Sequence, residues 1–411
     1  MTLTDYLKRG QFNATVQVLL YPYIGVDTGL LVWDDPIDVT DYVLDISRDV
    51  SDGVLDTSGS STGNLIDKIE LEFDNKLGFF NYNGVFFDSN IVNNSKIKIT
   101  SSYETFERDS LGVLVPTTIS SYVFNGIIKS DSSSWEVSRR VFKAGILGSA
   151  NIFNCEKAYD AGAPGTDLAT KITTLLNGTE DGSGSNPATI QSVMTIGSVT
   201  FGITGTYSNP ATINGSSWSG VKILELLNKI CFIMNSIWKI SPTNTFLIEP
   251  INNTGSSVWD LTLDDIISID DMGVYPLQFT ALTWDDGVNT PEQQQMTAAD
   301  RADYGYDLFT HNVDISFIAL VARATILGQV FDQNKHKHRM ITLTTKCNPE
   351  LETNEIITID HPAQAGINNF VIDPSIKWRV LTIRRKINLA PDMQIIAVQA
   401  GTGPDANLDG T

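Results

Sequence analysis

Four places in this sequence combine residue types that could do chemistry. Asp285-Asp286, in the run Thr283-Trp284-Asp285-Asp286-Gly287, sets two carboxylates beside a tryptophan, and paired carboxylates are the tools of glycoside hydrolysis. The chain holds 48 acidic residues, however, so adjacent pairs arise by chance and this one carries no special weight. Lys335-His336-Lys337-His338-Arg339 places two imidazoles on one face of a strand, at a spacing that metal ligands use. The flanking cations oppose a divalent ion and no carboxylate or cysteine stands at ligand spacing. A charged strand edge that blocks unwanted pairing accounts for the run. Asp405-Ala406-Asn407-Leu408-Asp409-Gly410 has the alternating oxygen ligands and the glycine of half a calcium loop, but no bidentate Glu completes it. A frayed polar C-terminus is the simpler reading. Trp33, Trp135, Trp218 and Trp284 would make a sugar platform if they converged, although the core is the commoner fate of tryptophan.

The familiar catalytic patterns are missing. There is no Gly-x-Ser-x-Gly elbow, no His-Glu-x-x-His helix and no Gly-Lys-Ser/Thr phosphate loop. Gly182–Gly184 and Gly401-Thr402-Gly403 lack the strand–helix context of a dinucleotide site. No catalytic, cofactor-binding or metal-ligating residue is therefore assigned, and the chain is expected not to be an enzyme.

The elements that would position any site point to a β-rich protein. Its 411 residues allow two to three domains, and 42% apolar residues give an ordinary globular composition. The net charge of −20 opposes duplex binding through phosphate contacts. Only 18% of residues are charged, so the chain is no solvated acidic tail. Cys155, Cys231 and Cys347 are odd in number and far apart, which predicts buried thiols and synthesis in a reducing cytoplasm. The N-terminal stretch does not read as a secretory signal, and no apolar run is long enough to span a membrane, so no membrane anchor is expected.

Lys68–Asp74 alternates strictly, with Ile69, Leu71 and Phe73 on one face of a half-buried strand. Further strands are expected at 85–87, 97–99, 121–128 and 137–146, punctuated by turn signals at Asp52-Gly53, Asn83-Gly84 and Asn125-Gly126. A helix is expected over 166–176, with Thr166 as its cap, followed by a flexible loop over 178–187. The apolar stripe of Val221–Ile240 predicts the strongest helix, stopped by Pro242, with a short strand at 246–250. A polar loop at 289–300 precedes a third helix near 313–330. Strands at 340–345, 356–359, 380–383 and 393–398 follow, the last two joined as a hairpin. The fold class is thus mainly β (α+β): a first β-barrel domain at 1–150, a helix-containing middle at 151–265, a second β-barrel with its preceding helix at 266–405, and a flexible tail at 406–411.

This order of segments resembles the tail hub (baseplate hub) proteins of long-tailed bacteriophages, relatives of the hub half of the type VI secretion spike. Four stretches carry the resemblance. Ile69–Gly84 is similar to the family's first-barrel strand, with Asn and aromatic residues before a glycine turn. Val123–Val141 resembles its Phe-x-Gly-x-Ile strand and the paired strand after it. Ser219–Pro250 is similar to its helix–strand–turn–strand unit, with Pro242-Thr243-Asn244 at the turn. Tyr304–Pro362 resembles its closing unit: Tyr304-Gly305, a helix with Ala319, Ala322 and Ala324, then barrel strands ending at Ile357–Pro362. The segment 178–215 is longer than the family's pattern and reads as an added loop or lobe.

The resemblance implies two tube-like antiparallel β-barrels per chain and a homotrimer presenting six barrels to a six-fold tail tube. Implied partners are the tail tube or distal tail protein, the tape measure protein, and a central spike or fibre protein. DNA would pass through without specific binding, in a virion tail tip assembled in the host bacterial cytoplasm. No cofactor is implied. A cell-surface glycan-binding or glycan-hydrolysing β-rich tail protein is the alternative.

Overall fold

The computed structural model describes residues 13–27, 30–51, 67–81, 94–108, 110–155, 168–177, 190, 194–201, 220–241, 243–275, 280–285, 291–304, 310–313, 318, 320–334, 338–348, 350–361, 372–386 and 392–400. Outside them lie several features read from the sequence: the turns at 52–53 and 83–84, Thr166, the loop at 178–187, Asp286, His336, Trp218 and the Asp405–Gly410 run.

The first part of the chain is almost all strand. It runs β1 (Asn13–Tyr21), β2 (Tyr23–Asp27), β3 (Leu30–Trp33), β4 (Ile37–Asp38), β5 (Val43–Ser51), β6 (Asp67–Asp74), β7 (Lys96–Arg108), β8 (Leu114–Glu136) and β9 (Val141–Gly148). The alternation of β6 does what its pattern predicts: Ile69, Leu71 and Phe73 are buried while Lys68, Glu70, Glu72 and Asp74 are not. Asn125-Gly126 is no turn but lies inside the 23-residue β8. A Cβ at Gly126 would stand 2.5 Å from Ile146 Cγ2 and 2.8 Å from the Leu147 carbonyl, so the glycine permits close packing on β9 rather than a reversal.

Helices enter next. They are α1 (Ile152–Cys155), α2 (Leu168–Asn177) and α3 (Ile223–Ile233), interleaved with strands β10 (Thr195–Val199), β11 (Ser236–Ile240) and β12 (Thr245–Pro250). Leu168, Ile172, Leu175 and Leu176 are all buried, as the spacing of α2 predicts. The expected helix over 221–240 is instead one helix and one strand. Asn235 takes a left-handed φ of 45°, which ends α3 two residues after Ile233 and turns the chain into β11. Within 178–215, β10 pairs in parallel with β12, and Gly197 lies so close to Leu247 and Thr245 that a Cβ would clash with both at 2.6 Å.

The last part contains β13 (Trp259–Leu261), β14 (Ile266–Tyr275), β15 (Ala281–Trp284), β16 (Glu292–Gln295), α4 (Ala298–Tyr304), β17 (Thr310–Asn312), α5 (Leu320–Asn334), β18 (His338–Lys346), β19 (Ile356–Ile359), β20 (Lys377–Lys386) and β21 (Asp392–Gln399). The polar segment expected to be a loop at 289–300 holds β16 and the start of α4. Its glutamines pair with β15, and Met296 is buried at the strand's end. The third helix begins at Leu320 rather than near Val313, which is buried after the edge strand β17.

The protein is mainly β with a helix-containing middle. Thirteen strands form one partly curled sheet in the order β14-β18-β21-β20-β5-β6-β9-β8-β7-β1-β4, with β19 and then β13 branching from β20. Among the described residues no ladder joins the ends of this path. The N-terminal and C-terminal strands meet at one antiparallel seam, where Ser47–Ser51 of β5 pair with Lys386–Thr382 of β20.

Three apolar cores stand behind these elements. The N-terminal core packs Ile46, Ile69, Leu71, Ile97, Ile99 and Ile146 around stacked Phe73, Phe80 and Phe142. The C-terminal core is built from Trp259, Ile341, Leu343, Ile357, Trp378, Ile383 and Ile395. The middle core joins α2, α3 and β11–β12 to Leu282, Trp284, Ile326, Leu327 and Phe331 from later in the chain. Each fully buried aliphatic side chain of this kind stabilises the fold by about 1.5–3 kcal/mol relative to exposure.

Candidate functional site

Residues directly opposite each other on paired strands share a face of the sheet. Across the seam, Arg384 stands opposite Asp49, and Asp49 opposite Lys68 on β6. In the other direction Arg384 stands opposite Gln394, Gln394 opposite Thr344, and Thr344 opposite Ser268. One polar row therefore runs from β14 to β6, through both halves of the molecule. The intervening register positions, Ile383, Leu343 and Ile395 in one half and Ile69 and Ile146 in the other, turn into the cores. The sheet thus has one apolar face and one polar face, and the polar face continues over the seam.

Side-chain hydrogen bonds knit this face. Arg384 Nη1 donates to Gln394 Oε1 at 3.3 Å, and Gln394 Nε2 donates to Asp270 Oδ2 at 3.3 Å. Thr344 Oγ1 donates to the same carboxylate oxygen at 2.7 Å, and Ser268 Oγ donates to Asp270 Oδ1. The Ser268 and Thr344 hydroxyls hold the Asp270 carboxyl below its ordinary range. On the N-terminal half Lys143 Nζ lies 2.7 Å from Glu72 and 3.9 Å from Glu136. Arg139 lies 3.6 Å from Glu72 and 3.3 Å from Glu136. The hydrogen bond and charge of Glu72 raise the Lys143 pKa. The face carries both signs of charge, not a basic stripe of the kind that grips phosphate.

The sequence's own candidates do not converge. Asp285 follows the buried Trp284, over whose ring the Arg323 guanidinium sits at 4.0 Å, so that tryptophan belongs to the middle core. Trp33 is half-buried with Lys96 over its ring at 5.4 Å and its indole N–H on the Asn94 carbonyl. Trp135 is 42% exposed and donates to the Phe80 carbonyl. Trp33 and Trp284 both pack with the middle core while Trp135 lies against Phe142 of the N-terminal core, so the three build no shared platform. His338 opens β18 opposite Tyr275, His311 lies on β17 with its ring 6.1 Å from that of Phe232, and His361 bridges to Ile372. Among the described residues no group of three or more His, Cys, Asp or Glu could hold a metal ion. Cys231 and Cys347 are buried, and burial pushes the Cys231 thiol far above its ordinary range. Among the described residues no helix is long and apolar enough to cross a membrane.

The polar row escaped sequence reading because it depends on register. Nothing in the spacing of Asp270 and Arg384 announces that β14 and β20 flank the same two strands. The only local signal was the alternation of each strand by itself.

No family model matches the chain, and no curated protein matches its sequence. Solved structures do resemble it. The tail protein from Neisseria meningitidis MC58 superposes with a TM-score of 0.53 at 10% identity, over 96% of this chain and 99% of that one. The 43 kDa tail protein of prophage MuSo2 from Shewanella oneidensis gives a TM-score of 0.48 at 10% identity, over 95% and 98%. A prophage tail protein from Listeria monocytogenes EGD-e gives 0.48 at 10% identity, over 94% and 95%. At this identity the likeness is one of architecture: the chain shares the fold of the Neisseria meningitidis tail protein along nearly the whole length of both.

Proposed function

We propose that the chain is a structural, non-enzymatic component of a phage-type tail, and within it the tail hub. The observation that carries this reading is the seam: two β units of one chain are fused edge to edge through β5 and β20, with their polar faces continuous. The shared fold with a tail protein supports it. Each β unit corresponds to one tube-like barrel, so that three chains present six units to a six-fold tail tube. Strand edges left open within a chain are natural contacts between copies. Among the described residues no strand pairs with the outer edge of β14, and Val258, Leu263 and Ile267 are exposed near it in sequence.

In this reading the homotrimer sits at the distal end of the tail tube. The tube or distal tail protein lies above, the tape measure protein within, and a spike or fibre protein below. DNA passes through during ejection without being held, which the net charge of −20 per chain and the mixed-sign polar face both favour. Domains at 1–150, 151–265 and 266–405 remain the proposed division. The test is mass and shape together. Light scattering should give roughly three chains per particle, and negative-stain images a three-fold ring with a central hole. A stable dimer without a ring overturns the hub assignment.

A further inference from the structure

The middle core and the C-terminal half of the sheet meet through a small group of charges. Lys239 on β11 places its Nζ 3.0 Å from Glu249 on the paired strand β12 and 3.1 Å from Glu352, which precedes β19. Glu355 follows three residues later, and its Oε2 accepts the Glu352 backbone N–H at 2.8 Å. One ammonium thus pairs with two carboxylates, and a third is tied to the backbone of the second. Directed hydrogen bonds frame the group. The buried Asn354 donates its Nδ2 to the Pro250 carbonyl at 3.0 Å, and its Oδ1 accepts the Asn252 N–H at 2.9 Å. The Asn354 N–H goes to the Val380 carbonyl at 2.8 Å. Lys377 Nζ donates to the Gly255 carbonyl at 2.7 Å. From β20, Arg385 donates Nη2 to the Leu351 carbonyl, and Arg379 stands opposite Ile356.

The balance of charge in this joint is uneven. Burial disfavours the Lys239 ammonium, but Glu352 and Glu249 more than offset it and hold its pKa above the ordinary value. Glu355 is the surplus carboxylate. Burial first, then the charges of Glu352 and Glu249, push it above the ordinary range, although the Glu352 N–H and Lys239 pull the other way.

We infer that the Lys239–Glu249–Glu352–Glu355 cluster is a proton-tightened joint, which holds the β11–β12 hairpin to the C-terminal half of the sheet more firmly when Glu355 is protonated. A group that binds its proton more tightly in the closed joint than in open solvent shifts the equilibrium toward closure as pH falls through its folded-state range. Two limits bracket the effect. At the alkaline limit, loss of the Lys239 proton removes the ion pairs, and at the acid limit the joint depends on the carboxylates that face that ammonium. The same hairpin also touches the N-terminal half, where Ser149 Oγ donates to Asn244 Oδ1 at 2.7 Å. No titratable group takes part in that bond, so it serves as an internal control.

Amide hydrogen exchange on the full chain at about pH 7.5 and about pH 5.5, corrected for intrinsic rates, tests the joint. Peptides covering 250–256 and 351–355 should gain several-fold protection at the lower pH, while those covering 243–245 and the β5–β20 seam stay constant. Glu355→Gln keeps an acceptor for the Glu352 N–H. It should show the low-pH protection at both values, with no remaining pH dependence in these peptides. Lys239→Met should lose the protection at both. Equal protection of wild type at the two pH values, or an undiminished pH dependence in Glu355→Gln, overturns the inference.

Discussion

Trp238 in the middle core and Trp378 in the C-terminal core are both fully buried, yet their indole nitrogens are treated differently. Trp238 Nε1 donates to Asn228 Oδ1 at 2.8 Å, from β11 to the helix α3 before it. Trp378 Nε1 and its neighbour Trp259 Nε1 are buried donors without a partner among the described residues. The two sites differ in what fixes the side chain. Trp259, Ile357 and Trp378 stand in one row on three adjacent strands, so ladder hydrogen bonds set their positions. The middle core gathers helices and strands from distant parts of the chain, where no ladder fixes a helix against a strand. There directed polar contacts do that work: Trp238 on Asn228, and Arg323 Nε donating to the Ile318 carbonyl at 2.7 Å while its guanidinium covers Trp284. Strand register replaces side-chain hydrogen bonds as the source of orientation.

If that contrast holds, the middle core is the more brittle of the two. The largest effect should come from charge placed inside it. Leu227→Asp or Ile230→Asp puts an unpaired carboxylate among side chains that are 1% and 0% exposed, at a cost of several kcal/mol. Neither variant should yield soluble protein. A variant that folds and melts like the parent would mean that α3 does not hold the middle core together.

The tryptophans themselves give the next, finer comparison. Trp238→Phe and Trp378→Phe delete similar volumes from fully packed sites. Only the first removes a hydrogen bond, so it should cost about 0.5–1.5 kcal/mol more in denaturant unfolding. Asn228 is only half-buried, and water can reach it, which favours the lower end. Equal losses at the two sites would show that the indole contact orients nothing.

The same contrast explains what the sequence revealed. The strand at Lys68–Asp74 was legible because it carries its own alternation in Ile69, Leu71 and Phe73, and the register merely adds to it. The strands within 13–51 had no such signal singled out, and the strand expected at 137–146 starts only at Val141, after a turn. The boundary between α3 and β11 was not. Ile237 continues the apolar stripe of the helix, and Ser236, Ile237 and Trp238 are all buried, so periodicity has no polar face to lose. Asn235 ends the helix by adopting the left-handed conformation that asparagine takes more readily than most residues. The likeness of Ser219–Pro250 to a helix–strand–turn–strand unit captured that division where periodicity did not. The strand Glu292–Gln295 was hidden for the opposite reason: an edge strand of glutamines has no apolar face to announce it. The seam and the joint at Lys239 each depend on pairing across more than a hundred residues, which no local pattern encodes.

The smallest expected effect separates two lysines that both face glutamates. Lys143 sits on the polar face of the N-terminal half, 2.7 Å from Glu72, with Glu136 and Arg139 beside it. Lys239 sits in the joint, its side chain 15% exposed against 29% for Lys143. Both have pKa values held above the ordinary lysine range by glutamate charge and hydrogen bonding, Lys239 against the larger penalty of burial. A raised lysine pKa contributes stability that is fully present below the unfolded value and is lost as pH rises through the folded one, so both contributions fade only in alkali. Salt distinguishes them. At about 0.5 M the screening length falls to a few ångströms, which weakens a pair more the further water reaches its ammonium; the carboxylates do not add to the contrast, Glu352 being 29% exposed and Glu72 17%. In double-mutant cycles, the coupling of Lys143→Met with Glu72→Gln should therefore be small at low salt and vanish at high salt. The coupling of Lys239→Met with Glu352→Gln should survive. Equal salt sensitivity in both cycles would mean that water reaches the joint as freely as the open face, and that burial does not set the two halves of the molecule apart.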